Sequence, residues 1–226
     1  DVESRGLVDV YKRQLICNFG SISDYEAMKT AGKRAHALGH PIVIDPVGVS
    51  GSSYRREKCL ELMKIIHPTC IRGNYSEIQA LLHNCGTVTG VDAAEDALAE
   101  AEETDLPELM KQYAKENQMI LVASGETDLI TDGSCVYRCH NGSPMMARIT
   151  GSGCMSTVML GAFLSAENSV ESAVACCAFT GIAGELAAKE MTAQKRGTMT
   201  FRNWFIDAVS LMTPEQLEHG TNVDWF

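Results

Sequence analysis

Residues 41–48, "PIVIDPVG", decide how this chain is read. Ile42, Val43 and Ile44 are apolar and β-branched without any polar alternation, and Asp45-Pro46 stops the run. A strand with no polar side is buried on both faces, as in a parallel sheet covered by helices. The neighbouring stretches agree. "LICNFG" (15–20) reads as a buried strand, and "DYEAMKTAGKRAHALG" carries a helix that ends at Gly39. On the other side, "SYRREKCLELMKII" (53–66) has helical periodicity, "TCIRG" (69–73) is a third short strand, and "NYSEIQALL" (74–82) begins a helix. Strands alternating with helices of roughly 10–15 residues predict βαβ units.

The pattern continues further along the chain. Residues 92–104 and 106–117 read as two acidic amphipathic helices separated near Pro107, and "MILVAS" (119–124) as another buried strand. "DLITDG" and "SCVYRCHNG" form a predicted hairpin turning at Asp132-Gly133. "MMARIT" then leads into "ITGSGCM" (149–155), followed by helices near 154–166, 169–190 and 201–212 and a short polar tail. The expectation is a single α/β domain over 15–226, a three-layer αβα sandwich with a mostly parallel central sheet. Residues 1–14, "DVESRGLVDVYKRQ", are charged and show no period, and read as a non-native leader.

Composition narrows the function. With 19 basic against 29 acidic residues, the net charge of −10 excludes a general nucleic-acid binder, which needs a basic face. A phosphorylated small molecule needs only one local positive pocket. No stretch reaches the roughly 18 uninterrupted apolar residues of a membrane span, and no signal-peptide pattern opens the chain. None of the nine cysteines forms a CxxC pair, so they read as reduced thiols in a cytoplasmic protein. Cys135, Cys139 and His140 match no common zinc spacing.

Four short motifs could carry chemistry. In "ITGSGCM", Gly151 and Gly153 permit positive φ and close backbone approach. The helix start behind them offers unpaired N–H groups to an anionic oxygen. Cys154 in that first turn could take a proton from an alcohol while Gly151, Ser152 and Gly153 hold a transferring phosphoryl group. The alternative is a plain helix start capped by Thr150 or Ser152, with a buried cysteine. Asp45 stands at the C-terminal end of a strand, where ligands sit in open parallel sheets, and could hold Mg²⁺ or merely cap a turn. In "IRGNYSEI" (71–78), Asn74 and Glu77 have capping-box spacing, and Arg72, at the strand exit, could bind phosphate. Ser124, in "ASGETDLI" (123–130), could bind a nucleotide phosphate or only connect strands. The six histidines share no spacing and are assigned no catalytic role. Met145-Met146 and Met155/Met159 read as core filler.

Taken together and in this order, "DPVG", "RGNYSE", "ASGETD" and "TGSGC" resemble the hydroxyethylthiazole kinases of the ribokinase-like superfamily. The resemblance runs from about Leu15 to the end, and "GIAGELAAKE" (181–190) and "KRGTMTFRNWFIDAVSLMT" (195–213) look like that family's late helices. It implies phosphoryl transfer from ATP to the primary alcohol of 5-(2-hydroxyethyl)-4-methylthiazole in thiamine salvage. Cys154 would be the catalytic base, where many superfamily relatives carry aspartate. Gly151 to Gly153 would form the anion hole, with Gly151 near the thiazole. Arg72 and Ser124 match ATP-binding positions, Ser124 replacing a common threonine. Asp45 and Glu77 match the acidic positions near Mg²⁺. A homotrimer with thiazole sites between subunits is also implied. The family has roughly fifty to sixty further residues before the strand matching "LICNFG", including a sheet strand and a thiazole-binding "MN" segment, so the chain reads as one lacking that region. Two other readings stay open: another superfamily kinase, acting on a hydroxymethylpyrimidine or pyridoxal, and a nucleotide-binding fragment without turnover.

Overall fold

The computed structural model describes residues 14–84 and 106–226. The helix expected over 92–104 and residues 1–13 lie outside the described residues. Four strands come first in chain order and run parallel: β1 (Leu15–Asn18), β2 (Ile42–Asp45), β3 (Cys70–Asn74) and β4 (Ile120–Ser124). Helix α1 (Tyr25–Ala37) links β1 to β2, and α2 (Ser53–Ile66) links β2 to β3. Helices α3 (Tyr75–Asn84) and α4 (Leu106–Asn117) stand between β3 and β4.

Beyond β4 the sheet becomes a meander. β5 (Asp128–Thr131), β6 (Val136–Cys139) and β7 (Val223–Trp225) pair antiparallel in succession, completing a seven-stranded sheet in the order β1 to β7. The hairpin stands where the sequence places it, with Gly133 at φ +97° in its turn. The sheet is therefore a mixed one, parallel through β4 and antiparallel after it. The expected polar tail is instead α8 (Pro214–Gly220) followed by β7, which pairs with β6 through Arg138 opposite Asp224. A strand of three residues carries almost no periodic signal; its order comes from the neighbour it pairs with.

Strand alternation produces the three layers. Ile42, Ile44, Ile71, Leu121 and Ala123 face one side, packing with Leu62 and Ile66 of α2, Ile78 of α3 and Met110 of α4. Val43, Cys70, Ile120 and Val122 face the other, against Leu160 and Leu164 of α5 (Ser152–Ala166) and Ala173 and Cys177 of α6 (Val170–Ala193). This burial of both faces is why β2 reads as a continuous apolar run. Ala183 and Ala187 of α6 pack with Phe201 and Phe205 of α7 (Thr198–Leu211) in a further cluster. Helix α6 is long and apolar enough to cross a bilayer, by length and composition alone. Here it is a core helix, with eleven buried residues along its length.

Candidate active site

Strands β1 to β4 end in Asn18, Asp45, Asn74 and Ser124, so one edge of the sheet presents a row of polar side chains. The start of α5 lies against that edge. Its N-cap is Gly151, at φ +90°, and no side chain caps the helix. A residue with a Cβ would be strained in that backbone conformation, which explains the glycine. Gly153 is an ordinary helical residue, so the expected second positive φ is not present. Neither Thr150 nor Ser152 caps the turn: the Ser152 hydroxyl donates to the Met146 carbonyl at 2.8 Å. The first-turn N–H groups of α5 are thus left to a ligand rather than to a cap.

A continuous run of hydrogen bonds joins the residues singled out above. Arg72 Nη1 donates to the Gly153 carbonyl at 3.1 Å and reaches the Thr157 hydroxyl at 3.5 Å. Thr157 Oγ1 donates to Asp45 Oδ2 at 3.0 Å. Asn18 Nδ2 donates to the same carboxylate oxygen at 2.9 Å and to Cys154 Sγ at 3.2 Å. The Asn18 amide cannot be turned round, because its Oδ1 accepts the Gly20 N–H at 2.8 Å. Arg72, Asp45 and Cys154 therefore meet at the mouth of α5 through Thr157 and Asn18, two residues that the sequence reading passed over. Asn18 carried a signal, since it ends a buried strand as Asp45 does; Thr157 reads only as one more helix residue.

Arg72 is placed differently from the expectation. It lies in the middle of β3 rather than at its exit, paired in register with Val122, and is 8 % exposed. A buried guanidinium reaching into the helix mouth is a fixed positive charge in a poorly solvated place. Asp45 is also buried, at 5 % exposure. That burial pushes its carboxyl above the usual range, while the Thr157 hydroxyl and the Arg72 charge pull it down. Cys154 is exposed, and six of the other described cysteines are buried.

Glu77 makes the expected capping box. Asn74 Oδ1 accepts the Glu77 N–H at 2.9 Å, and Glu77 Oε2 accepts the Asn74 N–H at 3.0 Å. Its Oε1 accepts the Gly48 N–H at 2.9 Å, tying the loop after Asp45 to α3. Gly73 makes this possible: a Cβ there would stand 3.0 Å from Pro46 and 3.1 Å from the Glu77 Cβ. Ser124 donates to the Gly73 carbonyl at 3.1 Å and faces an open cavity of about 720 Å³. Cys154 lines a second, almost wholly apolar cleft of about 390 Å³ with Met155, Val158 and Met159 of α5 and Phe205 and Ile206 of α7. Met155 and Met159 thus line a cleft beside the thiol as well as packing into the core.

Mg²⁺ fits the acidic pair in part. Asp45 Oδ2 is satisfied by Asn18 and Thr157, and the charge of this buried carboxylate is raised in energy by Glu77, which a cation would relieve. Both Glu77 oxygens already take backbone N–H groups, which favours contact through water. Among the described residues, no three His, Cys, Asp or Glu side chains gather as a metal-binding group.

Comparison with known proteins identifies the family. Residues 2–215 match the sequence profile of the hydroxyethylthiazole kinase family. A hydroxyethylthiazole kinase of Clostridium acetobutylicum is 35 % identical over 217 residues, covering 94 % of this chain and 79 % of that protein. One from Desulforudis audaxviator is 37 % identical, covering 93 % and 74 %. The solved hydroxyethylthiazole kinase structure from Pyrococcus horikoshii OT3 superimposes with a TM-score of 0.74 at 26 % identity, over 89 % of this chain and 72 % of that one. A Staphylococcus aureus pyridoxal kinase shares the fold, with a TM-score of 0.54 at 17 % identity. The chain belongs to the hydroxyethylthiazole kinase family.

Proposed function

We propose that this chain transfers the γ-phosphoryl group of ATP to the primary alcohol of 5-(2-hydroxyethyl)-4-methylthiazole, giving the thiazole phosphate and ADP in thiamine salvage. The observation that carries the reading is the convergence of Arg72, Asp45 and Cys154 on the uncapped start of α5, with an open cavity nearby and an apolar cleft beside Cys154.

Each residue then has a task. The N–H groups after Gly151, with Ser152 and Gly153, hold the γ-phosphoryl oxygens, and Arg72 adds a fixed positive charge beside them. The thiazole ring lies in the apolar cleft, its hydroxyl next to Cys154 Sγ. The alcohol oxygen bonds to phosphorus as the bond to the ADP oxygen breaks, and the alcohol proton passes to the Cys154 thiolate, which becomes the thiol. Asn18 orients the sulfur. Ser124 meets the phosphate chain from the end of β4. Asp45 and Glu77 would hold Mg²⁺, which when bound neutralises phosphate charge; the protein's own part is positioning and electrostatic.

The family likeness supports a homotrimer, as do the apolar Val158 and Ile206, 55 % and 46 % exposed on the rim of the cleft. Eight free cysteines among the described residues support a reducing cytoplasmic setting. The test compares acceptor alcohols with Mg·ATP. The thiazole should be phosphorylated far faster than a hydroxymethylpyrimidine or pyridoxal, and the reverse order would assign a different vitamin kinase.

A further inference from the structure

Residues 181–185 of α6, "GIAGE", lie against the segment of chain that leads into the start of α5. Two glycines let that segment come close. A Cβ on Gly181 would stand 2.5 Å from the backbone of Asn141, and one on Gly184 would stand 2.5 Å from Met146 Sδ. Neither contact leaves room for a side chain. Glu185 then ties the segment down: its Oε1 accepts the Gly142 N–H at 2.9 Å and Asn141 Nδ2 at 3.0 Å. Asn141, 8 % exposed, also grips the end of the chain. Its Nδ2 donates to the Gly220 carbonyl at 2.8 Å, and its Oδ1 accepts the Asn222 N–H at 2.8 Å.

A short 3₁₀ helix, Pro144–Arg148, carries this anchorage forward. Its Met145 and Met146 pack with Ala183 and Ala187 of α6 and with Ile149. The Met146 carbonyl is the one that accepts the Ser152 hydroxyl at 2.8 Å, and the Met155 N–H closes the first turn of α5 on the Gly151 carbonyl at 2.9 Å. Glu185, Gly142, Met146 and Ser152 thus trace a path from the core helix to the N–H groups that face the phosphoryl group. The start of α5 has no side-chain cap, so this path and the Arg72 bond to the Gly153 carbonyl supply its polar ties. Donors of this kind stabilise a transition state only when their position is fixed beforehand. Building on the kinase reading above, we propose that Glu185 is a positioning residue for phosphoryl transfer. It acts through the backbone: with Gly181 and Gly184 it sets where the α5 N–H groups stand relative to the γ-phosphoryl group. A carboxylate suits the task, because a charged acceptor holds an N–H more firmly than a neutral one.

Calorimetry with Mg·ADP and with the β,γ-methylene analogue of Mg·ATP, which differ in the γ-phosphoryl group, tests this beside steady-state kinetics and hydrogen exchange. Glu185→Ala should weaken the methylene analogue by roughly tenfold, as expected for a misplaced charge-assisted contact, and leave the ADP Kd unchanged. Its kcat should fall by roughly ten- to a hundredfold, the usual consequence of a small misplacement, with the thiazole KM unchanged. Glu185→Gln keeps an oxygen for Gly142 and Asn141 and should restore most of both losses. Gly184→Ala, which pushes Met146 away, should reproduce the Glu185→Ala pattern if that variant does not fold. Glu171→Ala, exposed in the first turn of the same helix, controls for lost charge and should change nothing. Equal discrimination between the two nucleotides in parent and folded variants would overturn the proposal, as would equal weakening of both. Amide exchange over residues 149–155 should quicken in Glu185→Ala. A parent that phosphorylates no thiazole and binds both nucleotides alike would refute the kinase reading. The exchange would then still decide the positioning role, and unchanged exchange over 149–155 would overturn it.

Discussion

Cys154 and Asp45 differ first, at the residue scale, in exposure. Burial pushes the Cys17 thiol up to about 11 and those of Cys139 and Cys176 to about 12, whereas Cys154 opens to solvent. A short alkylation read by mass spectrometry should therefore modify Cys154 before the buried thiols, and the thiazole should protect it. Cys154→Ala should lower kcat by roughly 10²–10⁴-fold, the usual worth of a general base. Cys154→Asp should keep part of the activity; complete loss in a folded variant would count against the base role. Burial makes the charged form of Asp45 costly. Asp45→Asn keeps an oxygen for Asn18 and Thr157 and removes that charge, so its Tm should equal or exceed the parent's while turnover falls by roughly a hundredfold or more. Arg72→Ala should raise the KM for ATP by roughly tenfold or more, since it removes a buried charged donor. An unchanged KM would take Arg72 out of the site.

Sequence periodicity made some elements plain and left others hidden. Helix α2 spans Ser53–Ile66 and α4 Leu106–Asn117, the bounds expected from periodicity, because each has enough turns to show an apolar stripe. β7 was not legible, because three residues owe their strand form to β6. At the site, position alone left Asp45, Ser124 and Cys154 each with a structural alternative, and only the order of the four motifs pointed to one shared site. Asn18's grip on Cys154 was not legible, because it spans 136 positions of sequence. The same strand gives a pH prediction. Hydrogen bonds from His140 and Arg138 hold the Asp224 carboxyl below the usual carboxylate range. The unfolded chain thus binds this proton first on acidification, so the group's contribution is present above the ordinary aspartate pKa and is lost as pH falls through the lower folded value. Hydrogen exchange of β7 amides should show the strand docked until below the ordinary aspartate range, near 3.9. Asp224→Asn should loosen it at neutral pH as well.

One sheet with two unlike halves runs through the whole molecule, and the candidate site gathers at the end of its parallel half. The parallel half ends in Asn18, Asp45, Asn74 and Ser124 and meets the start of α5, which is where βαβ sheets place ligands. The antiparallel half lines the far side of the open cavity that Ser124 faces, with Arg138 and His140. Helices α5 and α7 border the apolar cleft, where the proposed acceptor would meet Cys154. A chain of net charge −10 binds a polyanion through local positive side chains rather than through its overall field.

The most direct measurement is ADP release from Mg·ATP by the purified chain, with and without 5-(2-hydroxyethyl)-4-methylthiazole, with the thiazole phosphate quantified in the same samples. ADP should form only when the thiazole is present, in equal amount with the thiazole phosphate. Folded protein that binds ATP yet releases no thiazole-dependent ADP would contradict phosphoryl transfer at Cys154.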